Sequence, residues 1–148
     1  MVKYWNPKPM VDVIIQKENY IVLIERGKEP YKGKLATPGG YVEYGETVEN
    51  AATREAKEET SLHIKLKHIL GVYSDPNRDP RGHAISTVFI AEPIAGNLEA
   101  KSDAAKTNWC EIDEIELGNL AFDHAKIITD YIKWKKNNKD TFWSTRQS

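Results

Sequence analysis

Residues 40–46 read Gly-Tyr-Val-Glu-Tyr-Gly-Glu, and after seven further residues positions 54–59 read Arg-Glu-Ala-Lys-Glu-Glu. Carboxylates packed this densely behind a glycine turn are a way to hold a divalent cation against a phosphate. Read as a helix, Val48, Ala51, Ala52, Glu55, Glu59 and Leu62 fall on one stripe, with Glu58 at its edge and Asn50, Thr53 and Lys57 opposite. The acids therefore lie on the apolar side. A solvated charge run turns its acids outward beside lysines one turn away, whereas inward carboxylates must neutralise, pair or bind a cation. Arg54 is one partner, but it cannot balance Glu46, Glu55, Glu58 and Glu59 together. Oxygen-only ligation suits Mg²⁺ or Mn²⁺ better than zinc. The competing reading of the cluster is a structural ion-pair network.

Gly40, Glu46, Arg54, Glu55, Glu58 and Glu59 resemble the Nudix box, the signature helix of hydrolases acting on a nucleoside diphosphate linked to another moiety. Two positions depart from that pattern, Ser61 where the family has glycine and Ala56 in an aliphatic slot. Neither supplies a carboxylate. Serine adopts the left-handed turn that ends such a helix less easily than glycine does. The resemblance implies that Glu55, Glu58 and Glu59 are metal ligands, joined by the backbone carbonyl of Gly40, and that Arg54 orients the acids through Glu46 or a neighbour. It leaves the general base open between a helix glutamate and an acid on a distant loop. Residues 96–105 offer Glu99 and Asp103 for that role, against their being solvated loop acids, and Glu43 also lies near the box.

Substrate choice is addressed by residues 74–83, Ser-Asp-Pro-Asn-Arg-Asp-Pro-Arg-Gly-His. Two prolines stiffen the segment, and Arg78 and Arg81 carry planar forks suited to phosphate oxygens. The bland alternative pairs both arginines with Asp75 and Asp79 to shape a loop. The segment's position one strand after the box, with Pro76, resembles the ADP-ribose pyrophosphatase branch, as does the run from Leu120 to His124. That resemblance implies hydrolysis of ADP-ribose to AMP and ribose 5-phosphate by water attack on phosphorus, a nucleotide-sugar-type small molecule being the substrate. The alternatives are a nucleoside triphosphate or oxidised-nucleotide pyrophosphohydrolase and a non-catalytic nucleotide-binding sensor. Tyr4 and Trp5 are candidates for stacking on an adenine ring, or for burial against a second subunit in the homodimer the family often forms.

The elements that must position these residues follow from periodicity. Residues 11–15 and 20–25 read as strands around a polar turn and are expected to pair as a hairpin. A loop leads to residues 35–37, a short segment before Pro38-Gly39-Gly40. The acid-bearing helix is predicted over residues 47–60 with Thr47 as its cap. Strands are expected over 64–73, 84–92 and 107–110, and a second helix over 123–136, with Ile127, Ile128, Tyr131 and Ile132 facing inward. Residues 138–148 are expected to fray. The pattern predicts a mixed sheet covered by helices, matching the α/β/α sandwich that the resemblance implies. With 148 residues, 40% hydrophobic and 29% charged, the chain is read as one domain, 1–148. A net charge of −1 gives no polyanion-binding signature, and no apolar run reaches membrane-spanning length. The single Cys110 excludes an internal disulfide and agrees with a cytoplasmic, reducing location. Among the histidines none has a metal-site partner at the usual spacing, so zinc is not expected.

Overall fold

The computed structural model describes residues 5–100, 104–137 and 139–147. In chain order the elements are β1 (Lys8–Lys17), β2 (Tyr20–Arg26), β3 (Leu35–Ala36), β4 (Gly39–Tyr41), α1 (Val48–Thr60), β5 (His63–Tyr73), β6 (Ala84–Ala95) and β7 (Ala104–Glu111). Two short 3₁₀ turns, α2 (His124–Asn137) and β8 (Phe142–Trp143) follow. The strands lie in the order β3-β2-β1-β6-β5-β8, with β4 added to β1 and β7 added to β2. β1 runs parallel to β6 and β5 parallel to β8, the other pairings being antiparallel.

Alternation along the strands divides the core between two faces. Val11, Val13, Ile15, Val22 and Phe89 pack with Ala51, Ala52 and Ala56 of α1. Ile14, Ile21, Leu23, Leu70 and Ile90 pack with Ile127, Ile128 and Tyr131 of α2. The result is the α/β/α sandwich with a mixed sheet between helices. Small side chains on the inner face of α1 let that helix sit close to the sheet, which is what brings its acids near β4.

The expected hairpin closes only at its turn, where Gln16 faces Ile21 and Lys17 faces Tyr20. Beyond that β1 leaves β2 and runs between β6 and β4. Val11, Val13, Ile14 and Ile15 are fully buried, the mark of an interior strand covered on both faces, for which a hairpin partner alone is not enough. The acid helix starts as expected, Thr47 accepting a hydrogen bond from the Asn50 N–H at 3.1 Å. It ends at Ser61 in the left-handed conformation, φ 67°, with the Ser61 N–H bonded to the Lys57 carbonyl. Serine thus takes the conformation in which glycine is ordinary.

The C-terminal segment corrects the sequence reading. Instead of fraying, residues 142–143 form β8 against β5, and Phe142 is 1% exposed within the α2-side core. A side chain at Gly71 would lie 2.0 Å from the Phe142 carbonyl oxygen, so that glycine is what admits the strand. Ser144 Oγ then accepts the Ser74 and Asp75 N–H groups at 2.8 and 3.1 Å. A two-residue strand has no periodicity to read, which is why the composition of the tail suggested disorder. Phe142→Ala is expected to cost roughly 3–5 kcal/mol in urea denaturation, where a frayed tail would leave the midpoint unchanged.

Candidate active site

β4 holds the glycines. It pairs with β1 so that Gly39 faces Asp12 and Gly40 faces Val11. A Cβ at Gly39 would stand 2.3 Å from the Val11 carbonyl oxygen, and one at Gly40 would stand 2.5 Å from Glu55 Oε1. Gly39 is therefore needed where β4 closes on β1, and Gly40 leaves the room that the Glu55 carboxylate of α1 occupies. The Gly39 N–H donates to Glu59 Oε1 at 2.8 Å.

Arg54 organises the remaining acids. Its Nε and Nη2 clasp Glu46 at 2.7 and 3.0 Å, and Nη1 reaches Glu55 at 2.8 Å and Glu58 at 3.2 Å. Nη2 also donates to the Tyr41 carbonyl at 3.1 Å, tying helix to strand. The clasp draws the Glu46 carboxyl down to about 2. Burial acts in the other direction on the inner pair. It raises Glu55 despite Arg54, and it pushes Glu59 up to about 8 despite the Gly39 N–H. Among the described residues no three acid, His or Cys side chains are already drawn into a metal-holding group. Glu55 and Glu58 turn toward Arg54 and Glu59 toward Gly39. The donors nevertheless fit a hard divalent cation. They are oxygen only, and among the described residues Glu59, 8% exposed, has the Gly39 N–H but no cationic hydrogen-bond partner, so a dication would favour its ionised form.

These acids form one wall of a cavity of about 380 Å³, within the range of small-molecule sites. The facing wall was largely missed from sequence. Asp12, 5% exposed, accepts Ser86 Oγ at 2.6 Å and Thr37 Oγ1 at 3.2 Å and lies 3.6 Å from Arg78 Nη2. His124 Nδ1 accepts the Thr37 N–H at 3.2 Å, which assigns the ring proton to Nε2, 3.5 Å from Asp12 Oδ1. Burial lowers the His124 pKa and keeps the ring neutral. One signal could have found Asp12, the lone acid in the apolar run 11–15, since a charge inside a buried strand needs partners.

The predicted residues divide accordingly. Gly40, Arg54, Glu55, Glu58 and Glu59 meet on the acid wall, with Glu43 at the same cavity. Arg78 and Arg81 both reach the opposite wall but are held differently. Arg78, its side chain 3% exposed, forms a two-pronged pair with Asp123 at 3.0 and 2.8 Å, a partner that neither the phosphate reading nor the alternative pairing with Asp75 or Asp79 named. Arg81 is paired to Asp79 at 3.1 and 2.8 Å, and its side chain remains 36% exposed. Glu99 lies away from the cavity lining, exposed, with its N–H on the Thr60 carbonyl and its own carbonyl on Ser61 Oγ. Trp5 is 95% exposed and does not line the cavity. Tyr4 and Asp103 fall outside the described residues.

A mixed sheet sandwiched by helices, with an acid-bearing helix laid on a glycine strand beside a ligand-sized cavity, is an arrangement that could hold a divalent metal against a phosphate. The NUDIX domain model matches residues 6–131, and the chain belongs to the Nudix family of hydrolases. It is 54% identical over 132 residues to the ADP-ribose pyrophosphatase of Methanocaldococcus jannaschii, covering 89% of this chain and 77% of that protein. Among solved structures it is similar to a NUDIX hydrolase from Nitrosomonas europaea, with a TM-score of 0.83 and 25% identity over 96% of this chain and 79% of that one. It is also similar to the bifunctional NMN adenylyltransferase/ADP ribose pyrophosphatase of Francisella tularensis, with a TM-score of 0.77 and 27% identity over 89% of this chain and 42% of that one.

The buried neutral His124 makes a pH prediction. Its folded pKa lies below its ordinary 6.5, so as pH falls through 6.5 the unfolded chain takes up a proton that the folded chain refuses. Stability is therefore lost on acidification. His124→Gln is expected to flatten that loss between pH 7 and pH 5.5 in denaturation curves, and parallel slopes for the two proteins would count against a neutral buried ring.

Proposed function

We propose that the chain hydrolyses ADP-ribose to AMP and ribose 5-phosphate with Mg²⁺, Mn²⁺ being an alternative ion. The observation that carries the reading is Glu55 laid against Gly40 and Glu59 on the Gly39 N–H, with Glu58 beside them, at one wall of a nucleotide-sized cavity. The 54% identity to an ADP-ribose pyrophosphatase supplies the substrate. Glu55, Glu58, Glu59 and the Gly40 carbonyl would hold the metal, which neutralises phosphate charge and acidifies water when bound.

The chain's own residues do the rest. Arg54 holds Glu55 and Glu58 in register by bridging them to Glu46, so it is a positioning residue. Glu58, its side chain 48% exposed, is the member of the trio most open to water and takes the proton from the attacking water at its carboxylate oxygen. Glu99 and Asp103 are thereby set aside as the base, Glu99 because it lies away from the cavity lining. Of the two arginines, Arg81 meets substrate, while Arg78 acts through Asp123 by fixing the start of α2. Exposed Trp5 near the N-terminal end of β1 supports a homodimer in which it is covered, and it is set aside as a base-stacking residue because it does not line the cavity. The absence of nucleic acid as a partner and a cytoplasmic location are part of the same reading, supported by the net charge and the single cysteine.

A panel of ADP-ribose, NADH, a dinucleotide polyphosphate, nucleoside triphosphates and oxidised nucleotides, with products separated by chromatography, is expected to give AMP from ADP-ribose at the highest kcat/KM. EDTA abolishes this turnover and Mg²⁺ restores it. Glu58→Gln is expected to lower kcat at least about 100-fold while leaving the circular dichroism spectrum unchanged. A full-rate Glu58→Gln protein, or a triphosphate as the preferred substrate, would overturn the assignment.

A further inference from the structure

Burial in the α2-side core explains why Phe142 docks, but it does not explain the turn that follows. Trp143 to Arg146 close on themselves through the Arg146 N–H, which donates to the Trp143 carbonyl at 3.0 Å. The turn is held from two further directions. The Arg146 guanidinium lies 4.5 Å from the centre of the Phe142 ring, and the Arg146 carbonyl accepts Lys126 Nζ at 2.7 Å. Lys126 in turn pairs with Asp130 at 3.1 Å, and the fully buried Asp130 accepts the Tyr73 hydroxyl at 2.8 Å. This framework presents Ser144 to the residues that follow Tyr73. A half-buried serine adds no apolar burial there. Its Oγ instead takes the N–H groups of both Ser74 and Asp75, at 2.8 and 3.1 Å.

Those two N–H groups are the root of the loop that carries both cavity arginines, and the loop is built outward from them as linked turns. The Asp75 carbonyl accepts the Arg78 N–H at 3.0 Å, and Asp75 Oδ1 accepts the Asn77 N–H at 2.8 Å. The residue whose N–H Ser144 fixes is therefore the one that opens the first turn. Asp79 opens the second, its Oδ1 accepting the Arg81 N–H at 2.9 Å and its carbonyl the Gly82 N–H at 3.2 Å. His83 Nε2 then donates to the Ser74 carbonyl at 2.9 Å and closes the loop on its own root. A loop braced internally in this way moves as a unit, so a rotation at Ser74 and Asp75 is carried to Arg81 at the cavity. Displacements of about 1 Å are enough to weaken a binding contact.

We infer that Ser144 is a positioning residue for the hydrolysis, acting through the Ser74 and Asp75 N–H groups to hold Arg81 where it meets substrate. Ser144 does not itself line the cavity. The C-terminal turn is thus part of the substrate-binding machinery as well as of the fold. The inference rests on the hydrolase reading above for its reaction.

The test compares Ser144→Ala, which removes the acceptor, with Ser144→Thr, which keeps it, in the Mg²⁺-loaded enzyme. Ser144→Ala is expected to raise KM for ADP-ribose about fivefold, while kcat and the Mg²⁺ concentration giving half-maximal rate stay within about twofold of wild type, because the acid wall is untouched. Ser144→Thr returns KM to within about twofold. In an Arg81→Ala background, Ser144→Ala is expected to add less than about twofold to KM, since the arginine through which it acts is gone. Amide hydrogen exchange gives a readout that needs no turnover. The non-proline amides of residues 74–82 are expected to exchange at least about tenfold faster in Ser144→Ala, with those of α1 unchanged. An unchanged KM, a fall in kcat instead of a rise in KM, or a full additive rise in the Arg81→Ala background would overturn the positioning role. A wild-type protein inert toward ADP-ribose would overturn the hydrolase reading instead. Exchange would still decide in that case whether Ser144 sets the loop, equal rates refuting it.

Discussion

Burying carboxylates beside a backbone is the constraint around which the rest of this chain is arranged. Glu55 can lie on β4 because Gly40 leaves no side chain in the way, Glu59 is held there by the Gly39 N–H, and the alanines of α1 pack that helix against the sheet. Once there, desolvation works against their charge. Arg54 offsets part of this by spanning Glu46, Glu55 and Glu58 with one guanidinium. Because that guanidinium also bonds the Tyr41 carbonyl, the electrostatic compensation doubles as the joint between helix and strand. Replacing arginine by lysine would remove the fork that makes the two functions one.

The opposite wall solves a related problem with different parts. Asp12 sits in the buried run of β1 and is answered by two hydroxyls, a distant guanidinium and a neutral imidazole. This network joins β1, β6, the segment after β3, the loop before β6 and the start of α2. A displacement in any of them would leave a buried polar atom unpartnered. The cavity is thus bounded on one side by acids that a cation would complete and on the other by a network already satisfied by protein.

The acid wall was legible in the sequence because its information is local. Gly40 through Glu59 form one continuous stretch, and helical periodicity alone puts the acids inward. Thr47 and the end of the helix were readable for the same reason. Of the second wall only Arg78 and Arg81 were picked out, because Asp12, Thr37, Asp123 and His124 are scattered over the chain and meet only through the fold. Arg78 and Arg81 stand three positions apart and looked equivalent, yet one is buried against α2 and the other remains on the cavity surface. The β1–β2 pairing illustrates the limit in the sheet itself. Strand identity follows from alternation, but the choice of neighbour is made by which strand must be covered on both faces.

The docked C-terminus ties two distant parts of the chain into one mechanical unit. Ser144 caps the N–H groups of Ser74 and Asp75, at the root of the same loop that carries Arg78 and Arg81. Lys126 of α2 reaches the Arg146 carbonyl at 2.7 Å. The posture of the arginine loop is therefore set partly from the far end of the polypeptide. Undocking residues 142–146 would leave the Ser74 and Asp75 N–H groups without their cap, so the arginine loop and β8 hold each other in place.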